Sequence, residues 1–236
     1  MTGARNSAPD GASAASSAAE AAAATAAQTV RPAGPPRGTF VYWVGRTLCR
    51  LLFIAPFPRR VEGRRNIPKK GPVLFVANHT SFLDIPAVGT AIGRHVSFVA
   101  RETLADSRFL AWFLPQCDAI LIRRGEADRA ALRQIVERLE AGGAVAIFPE
   151  GTRSPDGRVQ AFKGGALYAA LRTGAPIVPV GVWGTENGLS RRGKVRPARV
   201  RVAFGPPFVI DPKADRATAE LELRRQVAKL AGRELA

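Results

Sequence analysis

From residue 71 onward the chain alternates short unbroken apolar runs with longer stretches whose apolar residues recur at helical spacing. Runs at about 73–77, 96–100, 119–122, 145–148, 177–182 and 198–204 predict strands. An apolar run of this length between turn residues suits a strand buried on both faces. Stretches at about 82–92, 108–114, 127–141, 163–173 and 217–234 predict helices. Between Asp128 and Glu140, Ala131, Leu132, Ile135, Val136 and Leu139 share one helical face, and Gly142-Gly143 ends the pattern. Strand–helix alternation predicts an α/β fold, a largely parallel or mixed sheet flanked by helices.

The first seventy residues break this pattern. Residues 1–38 are rich in Ala, Ser, Thr, Gly and Pro and carry no amphipathic period. They predict a disordered tail, and without an apolar stretch after a basic start they do not read as a secretory signal. Phe40 to Phe57 is strongly apolar but shorter than the ~20 residues of a spanning helix. Arg46 and Arg50 interrupt it four residues apart, on one helical face. The stretch predicts an amphipathic, membrane-associating helix that lies in the interface, with Arg59, Arg60, Arg64, Arg65, Lys69 and Lys70 set against anionic headgroups. The competing reading docks the helix on the protein's own core. The predicted organisation is a tail over 1–38, an interface helix over 39–62 and one catalytic-sized domain over 63–236.

Charge sharpens the picture. The 236 residues carry a formal net charge of +16. That excess calls for an acidic partner: a phospholipid membrane surface, an acidic carrier or nucleic acid. No basic helix, aromatic strand of the RNA-binding type or zinc-ligand spacing supports nucleic acid. The two cysteines, Cys49 and Cys117, make no disulfide framework, and no Cys/His cluster has metal-ligand spacing.

The candidate chemistry lies at two strand ends. Asn78-His79-Thr80-Ser81-Phe82-Leu83-Asp84 follows the run Val73–Ala77. A histidine at a strand end with a carboxylate five residues on suits a general base and the acid that orients it. Two plainer readings compete: a buried, satisfied histidine, and Asp84 as a first-turn acid behind an N-cap at Ser81. The second site candidate, Pro149-Glu150-Gly151-Thr152-Arg153-Ser154, follows the run Val145–Phe148. Open α/β sheets bind ligands at such carboxyl ends.

These blocks carry a family resemblance. Asn-His-x-x-x-x-Asp followed by Phe-Pro-Glu-Gly-Thr-Arg resembles the glycerolipid acyltransferases, in particular the 1-acyl-glycerol-3-phosphate acyltransferases. Asn66–Pro72, Ala119–Arg124, Phe162–Ala166 and Ala175–Val180 resemble further stretches of the family in the same order, so the likeness covers roughly residues 60–210. It implies a glycerol-3-phosphate acyltransferase-like fold. It also implies transfer of a fatty acyl group from acyl-CoA or acyl carrier protein to the free hydroxyl of 1-acyl-glycerol-3-phosphate, giving phosphatidic acid. A related acceptor, such as glycerol-3-phosphate, another lysophospholipid or a lipid intermediate, is the alternative.

By the same resemblance His79 is the base and Asp84 its orienting acid, while Thr80 and Ser81 are not nucleophiles. Arg123, Arg124 and Arg153 are the candidate phosphate ligands. Glu150 would order those arginines or the acceptor hydroxyls, or pair with Arg153. Gly151, Thr152 and Lys163 complete the predicted substrate site. Neither metal nor cofactor is implied, because a thioester is already an activated donor. Two positions depart from the family pattern: Asp118 stands where glycine is common, and Arg123 where an acid is frequent. Phe109–Leu114 would line an acyl groove, dip into the bilayer or form core. The implied location is the cytoplasmic face of the cell membrane.

Overall fold

The computed structural model of the protein describes residues 38–122 and 129–236. The tail expected over 1–38, apart from Gly38, and the neighbouring arginines Arg123 and Arg124 lie outside the described residues.

Every side chain of β2 (Val73–Ala77) is buried, and successive ones enter different layers. Val73, Phe75 and Ala77 join Ala144, Ala146, Val178 and Val180 on one face of the sheet. Leu74 and Val76 join Val145, Ile147 and Ile177 on the other. A strand covered on both faces needs no polar positions, which is why such strands are continuous apolar runs. The first face is covered by α2 (Asp84–Ala91) together with Phe53 and Phe57. The second is covered by α4 (Arg129–Glu140), α5 (Gly165–Thr173) and α7 (Arg216–Ala231).

Among the described residues the strands form one seven-stranded sheet in the order β1-β7-β6-β2-β5-β3-β4. From β6 (Ile177–Trp183) through β2, β5 (Ala144–Ile147) and β3 (Ser97–Arg101) to β4 (Ile120–Ile122), neighbours are parallel. β7 (Val200–Phe204) is antiparallel to β6, and β1 (Arg59–Glu62) is parallel to β7. The sheet is therefore mixed, and its five mutually parallel strands end on one edge. β2 connects past β5 to β3, whereas β5 connects back past β2 to β6. Crossings of this kind open the ligand crevice of α/β sheets.

β1 is a strand the sequence pattern does not announce, because Arg-Arg-Val-Glu looks like part of a basic loop. Charge at an edge strand is tolerated and discourages pairing with other chains. Arg59 does not face outward with the rest of the cluster. It donates to Ala87 O at 2.7 Å and to Thr90 Oγ1. Burial, aided by nearby arginines, pulls its pKa down to about 10.

The apolar stretch after Thr39 forms α1 (Phe40–Leu52), capped by Thr39 Oγ1, which accepts from Tyr42 N at 3.1 Å. One side of α1 docks. Arg46 donates to the carbonyls of Gly89 at 3.3 Å, Thr90 at 3.4 Å and Ile92. Those carbonyls end α2, where the helix dipole favours a cation. A Cβ on Gly45 would stand 3.1 Å from the Phe113 ring, so α1 and α3 (Arg108–Gln116) approach closely there. The other side of α1 is open: Phe40 is 83% exposed, and Trp43, Leu48 and Leu51 are also exposed. α3 buries none of its residues and exposes Phe109 and Trp112, so 109–114 is not a core helix. Among the described residues no helix is long and apolar enough to cross a membrane.

Asp118 has a φ of 51°, a left-handed conformation that glycine adopts freely and Asp more readily than most residues. Its carboxylate accepts from Ser97 Oγ and is held by Arg138 at 2.6 Å. The geometry accounts for the departure at this position: aspartate meets the same backbone demand and gains two partners.

Candidate active site

Where β2 ends, a side chain takes over the backbone's work. Asn78 donates through Nδ2 to Val182 O at 3.0 Å and accepts through Oδ1 from Val182 N at 2.7 Å. The β6 ladder stays satisfied while the main chain turns out of the sheet at His79. The His79 ring stacks on Phe148, with centroids 4.4 Å apart and planes at 25°. Its Nδ1 lies 2.8 Å from Asp84 Oδ2.

Asp84 is fully buried, and four donors among the described residues converge on its carboxylate. Oδ2 accepts from Thr80 N at 2.7 Å and Ser81 N at 2.8 Å as well as facing His79. Oδ1 accepts from the buried hydroxyl of Thr185. Ser81 Oγ in turn accepts from Leu83 N at 3.3 Å. Asp84 is the first-turn acid the motif suggests and fixes the histidine at once, but the helix N-cap is Leu83, not Ser81: the carboxylate accepts from the Thr80 and Ser81 amides of the turn that precedes the helix. A carboxylate at Nδ1 selects the tautomer with its proton there and leaves Nε2 to accept one.

The second motif is tied to the first through the backbone. Glu150, 5% exposed, accepts from His79 N at 2.8 Å and from Gln160 N at 3.2 Å. Ser154 N donates to His79 O at 2.7 Å. Burial pushes the Glu150 carboxyl up to about 7, against the pull of its two backbone donors. Among the described residues Glu150 pairs with neither Arg153 nor Lys163. Arg153 instead lies over the Phe82 ring, 4.1 Å from its centroid. Gly151 has a φ of 67°, and a Cβ there would meet Lys163 Cε and Nζ at 2.9 Å. The positive φ is what favours glycine here, since the flexible end of Lys163 could move aside.

These residues border a cavity of about 1010 Å³ at the carboxyl edge of the parallel strands. His79, Arg101, Gly151, Thr152, Arg153 and Lys163 line its polar part, and Leu132, Ile135 and Ile147 line an apolar part. Glu150 and Asp84 stand behind this surface rather than in it. Ile122, the last described residue before Arg123 and Arg124, also lines the cavity. The 109–114 stretch does not.

Two further residues belong to the constellation. Arg101 ends β3 and donates through Nε to Gly151 O at 3.1 Å. The signal for it is present in the sequence, an arginine closing an apolar run. Thr185 opens α6 (Thr185–Gly188), and nothing in its sequence neighbourhood distinguishes it from any other turn threonine.

A mouth lined by several cations, a histidine at the cavity wall backed by a buried aspartate, and an apolar extension suit an amphipathic substrate that carries phosphate and a hydroxyl. The acyltransferase family model matches residues 58–183. The chloroplastic 1-acyl-sn-glycerol-3-phosphate acyltransferase of Arabidopsis thaliana is 31% identical over 173 residues, 69% of this chain and 48% of that protein. The 1-acyl-sn-glycerol-3-phosphate acyltransferase of Pseudomonas aeruginosa is 28% identical over 195 residues, 79% of this chain and 71% of that one. The lyso-ornithine lipid O-acyltransferase of the same organism is 32% identical over 149 residues, 63% and 54%. The chain spans about half the length of the plant and algal relatives it matches. The crystal structure of the 1-acyl-sn-glycerophosphate acyltransferase of Thermotoga maritima superposes with a TM-score of 0.63 at 33% identity, covering 83% of this chain and 80% of that one.

Proposed function

This chain belongs to the acyltransferase family, and from that premise we propose that it transfers a fatty acyl group from a thioester to the free hydroxyl of 1-acyl-glycerol-3-phosphate. The observation that carries the reading is the His79–Asp84 pair, 2.8 Å apart at the wall of a cavity that also holds Arg153 and Lys163.

In this reading His79 Nε2 takes the proton of the acceptor hydroxyl as its oxygen attacks the thioester carbonyl. The tetrahedral intermediate collapses, the carbon–sulfur bond breaks, and the leaving thiolate takes the proton from the imidazolium. The products are phosphatidic acid and a free thiol. Asp84 keeps the imidazole in the productive tautomer and stabilises its cation, as the acid does in serine hydrolases. Glu150 acts on the backbone of His79 rather than on substrate. Arg153 and Lys163 supply charge-assisted donors to the acceptor phosphate, and the apolar part of the cavity takes acyl carbons.

The lyso-ornithine lipid relative supports a second reading, the same chemistry on a different lyso-lipid. A membrane-surface enzyme is part of the proposal in either case, because the acceptor and the acylated product are lipids and α1 exposes an aromatic face. The test is a panel of acceptors with purified protein and radiolabelled acyl thioester: 1-acyl-glycerol-3-phosphate, glycerol-3-phosphate, lysophosphatidylethanolamine and a lyso-ornithine lipid. The highest kcat/KM is expected for the first. A preference for an acceptor without phosphate would overturn the assignment of Arg153 and Lys163.

A further inference from the structure

Beside the catalytic cavity a second cleft, about 600 Å³, is lined by Glu186, Arg191, Arg192, Lys194 and Arg196. We propose that this cleft holds the phosphate groups of a coenzyme A thioester, which makes coenzyme A the carrier of the acyl donor. The inference rests on the acyl-transfer reading above, which by itself leaves the carrier open.

Three cations of the cleft are uncommitted. Among the described residues the side chains of Arg192, Lys194 and Arg196 have neither a hydrogen-bond nor an ion-pair partner. The acid of the cleft, Glu186, is already paired with Arg233 and accepts from Thr80 Oγ1 at 3.3 Å. Net positive charge is therefore presented to solvent in a concavity. Arginine forks match phosphate oxygens in geometry as well as in charge.

The segment that bears these charges is built, not loose. Its turn is closed by Ser190 N on Lys194 O at 3.0 Å, Lys194 N on Ser190 Oγ at 3.1 Å and Arg196 N on Gly188 O at 2.9 Å. It is also fastened to both catalytic motifs. Ser81 Oγ donates to Leu189 O at 2.7 Å. Arg191 donates to Arg153 O at 3.1 Å and Ser154 O at 3.0 Å. Arg191 lines the catalytic cavity as well as the cleft, so the two spaces adjoin.

That arrangement fits a donor better than an acceptor. In a lysophosphatidic acid the phosphate is a few bonds from the reacting hydroxyl and has to lie inside the catalytic cavity. In a coenzyme A thioester the phosphates are separated from the sulfur by the whole pantetheine arm, and His79 does not line the cleft. A concave space of this volume is the size of a small-molecule site, about 300–1,000 Å³. An acidic carrier protein would call for a broad open surface instead, about 800 Å² on each side in an ordinary complex.

The experiment compares the full chain with a variant carrying Arg192→Ala, Lys194→Ala and Arg196→Ala. Free coenzyme A and pantetheine are titrated calorimetrically, and transfer is measured from acyl-CoA, acyl-pantetheine and acyl carrier protein. The native chain is expected to bind coenzyme A more tightly than pantetheine, with the advantage shrinking as salt rises. The variant is expected to lose about tenfold or more in kcat/KM for acyl-CoA relative to acyl-pantetheine, the size of a lost charge-assisted contact. No preference for coenzyme A over pantetheine in the native chain would overturn the inference. So would an unchanged kcat/KM ratio, or a loss confined to acyl carrier protein, which would mark a protein-docking surface. The outcomes for the two readings separate: transfer without a coenzyme A preference removes the cleft and leaves the acyltransferase, whereas salt-sensitive coenzyme A binding without transfer keeps the cleft and removes the reaction.

Discussion

Thr185 donates its hydroxyl to the one oxygen of Asp84 that His79 does not use. The His79–Asp84 pair is thereby linked to the end of β6 as well as to its own turn. Thr185→Val removes the donor and leaves a buried carboxylate oxygen short of a partner, a loss of about 1–3 kcal/mol in stability. Turnover per folded molecule is expected to fall several-fold, because the imidazole loses part of its anchoring. His79→Ala is expected to cost about 10²–10⁴-fold or more in kcat with the fold retained. Circular dichroism and single-turnover acyl transfer check both, and near-normal turnover by folded His79→Ala protein would remove the base assignment.

Arg153 and Lys163 are expected to act on the phosphate of the acceptor alone. Arg153→Ala and Lys163→Ala should each raise the KM for the acceptor by about tenfold, with the KM for the donor unchanged. Steady-state kinetics with each substrate varied in turn decides it. A rise confined to the donor would move both residues to the other half of the reaction.

Glu150 makes stability depend on pH in an identifiable direction. Its folded pKa, about 7, lies above the ordinary 4.5, so between those values the folded chain holds more proton than the unfolded one. Stability from this group is full below about pH 4.5 and is lost as pH rises through 7. Glu150→Gln cannot titrate. Melting temperatures from pH 4.5 to 8 are expected to decline more steeply for the native chain than for the variant, and parallel curves would refute the buried-carboxyl account.

For membrane contact the structure dictates which variants are informative. Removing the chain through residue 60 would take away Phe53 and Phe57, both buried, along with the inward-facing Arg59. Phe40→Ser, Leu48→Ser and Leu51→Ser instead change exposed positions only. Each apolar side chain contributes about 1.5–3 kcal/mol when buried in an interface. The triple variant is expected to lose most sedimentation with phosphatidylglycerol vesicles at an unchanged melting temperature, and high salt is expected to release the native chain only in part. Equal sedimentation would rule out this face.

Much of the fold is legible in the apolar runs, because strands covered on two faces have no polar alternation to obscure them. β1 escapes, since Arg59, Arg60 and Glu62 dominate an edge strand whose only apolar residue is Val61. The site is legible where a motif is local, as in His79 and Asp84. It is not legible where a partner comes from a distant strand end. Thr185 meets Asp84 across 101 positions, and only the sheet order explains why. The role of Glu150 was open for the same reason: an acid beside Arg153 in sequence suggests an ion pair, whereas the fold turns its side chain toward the His79 amide. Arg46, which looks like a charge interrupting an interfacial helix, is in the fold a cap for α2.

The bonds that His79 N donates to the Glu150 carboxylate and that His79 O accepts from Ser154 N have a kinetic consequence. The amide proton of His79 is locked on a buried carboxylate, and that of Ser154 on the carbonyl of His79 itself. Neither can meet solvent unless the ends of β2 and β5 separate. These two loop amides should therefore exchange with deuterium on the slow timescale of the central strands, while the amides of their exposed neighbours Thr152 and Asp156 should exchange quickly. Motion that opens the cavity would then belong to this exposed rim and to α1, and His79 would stay still while a ligand comes and goes.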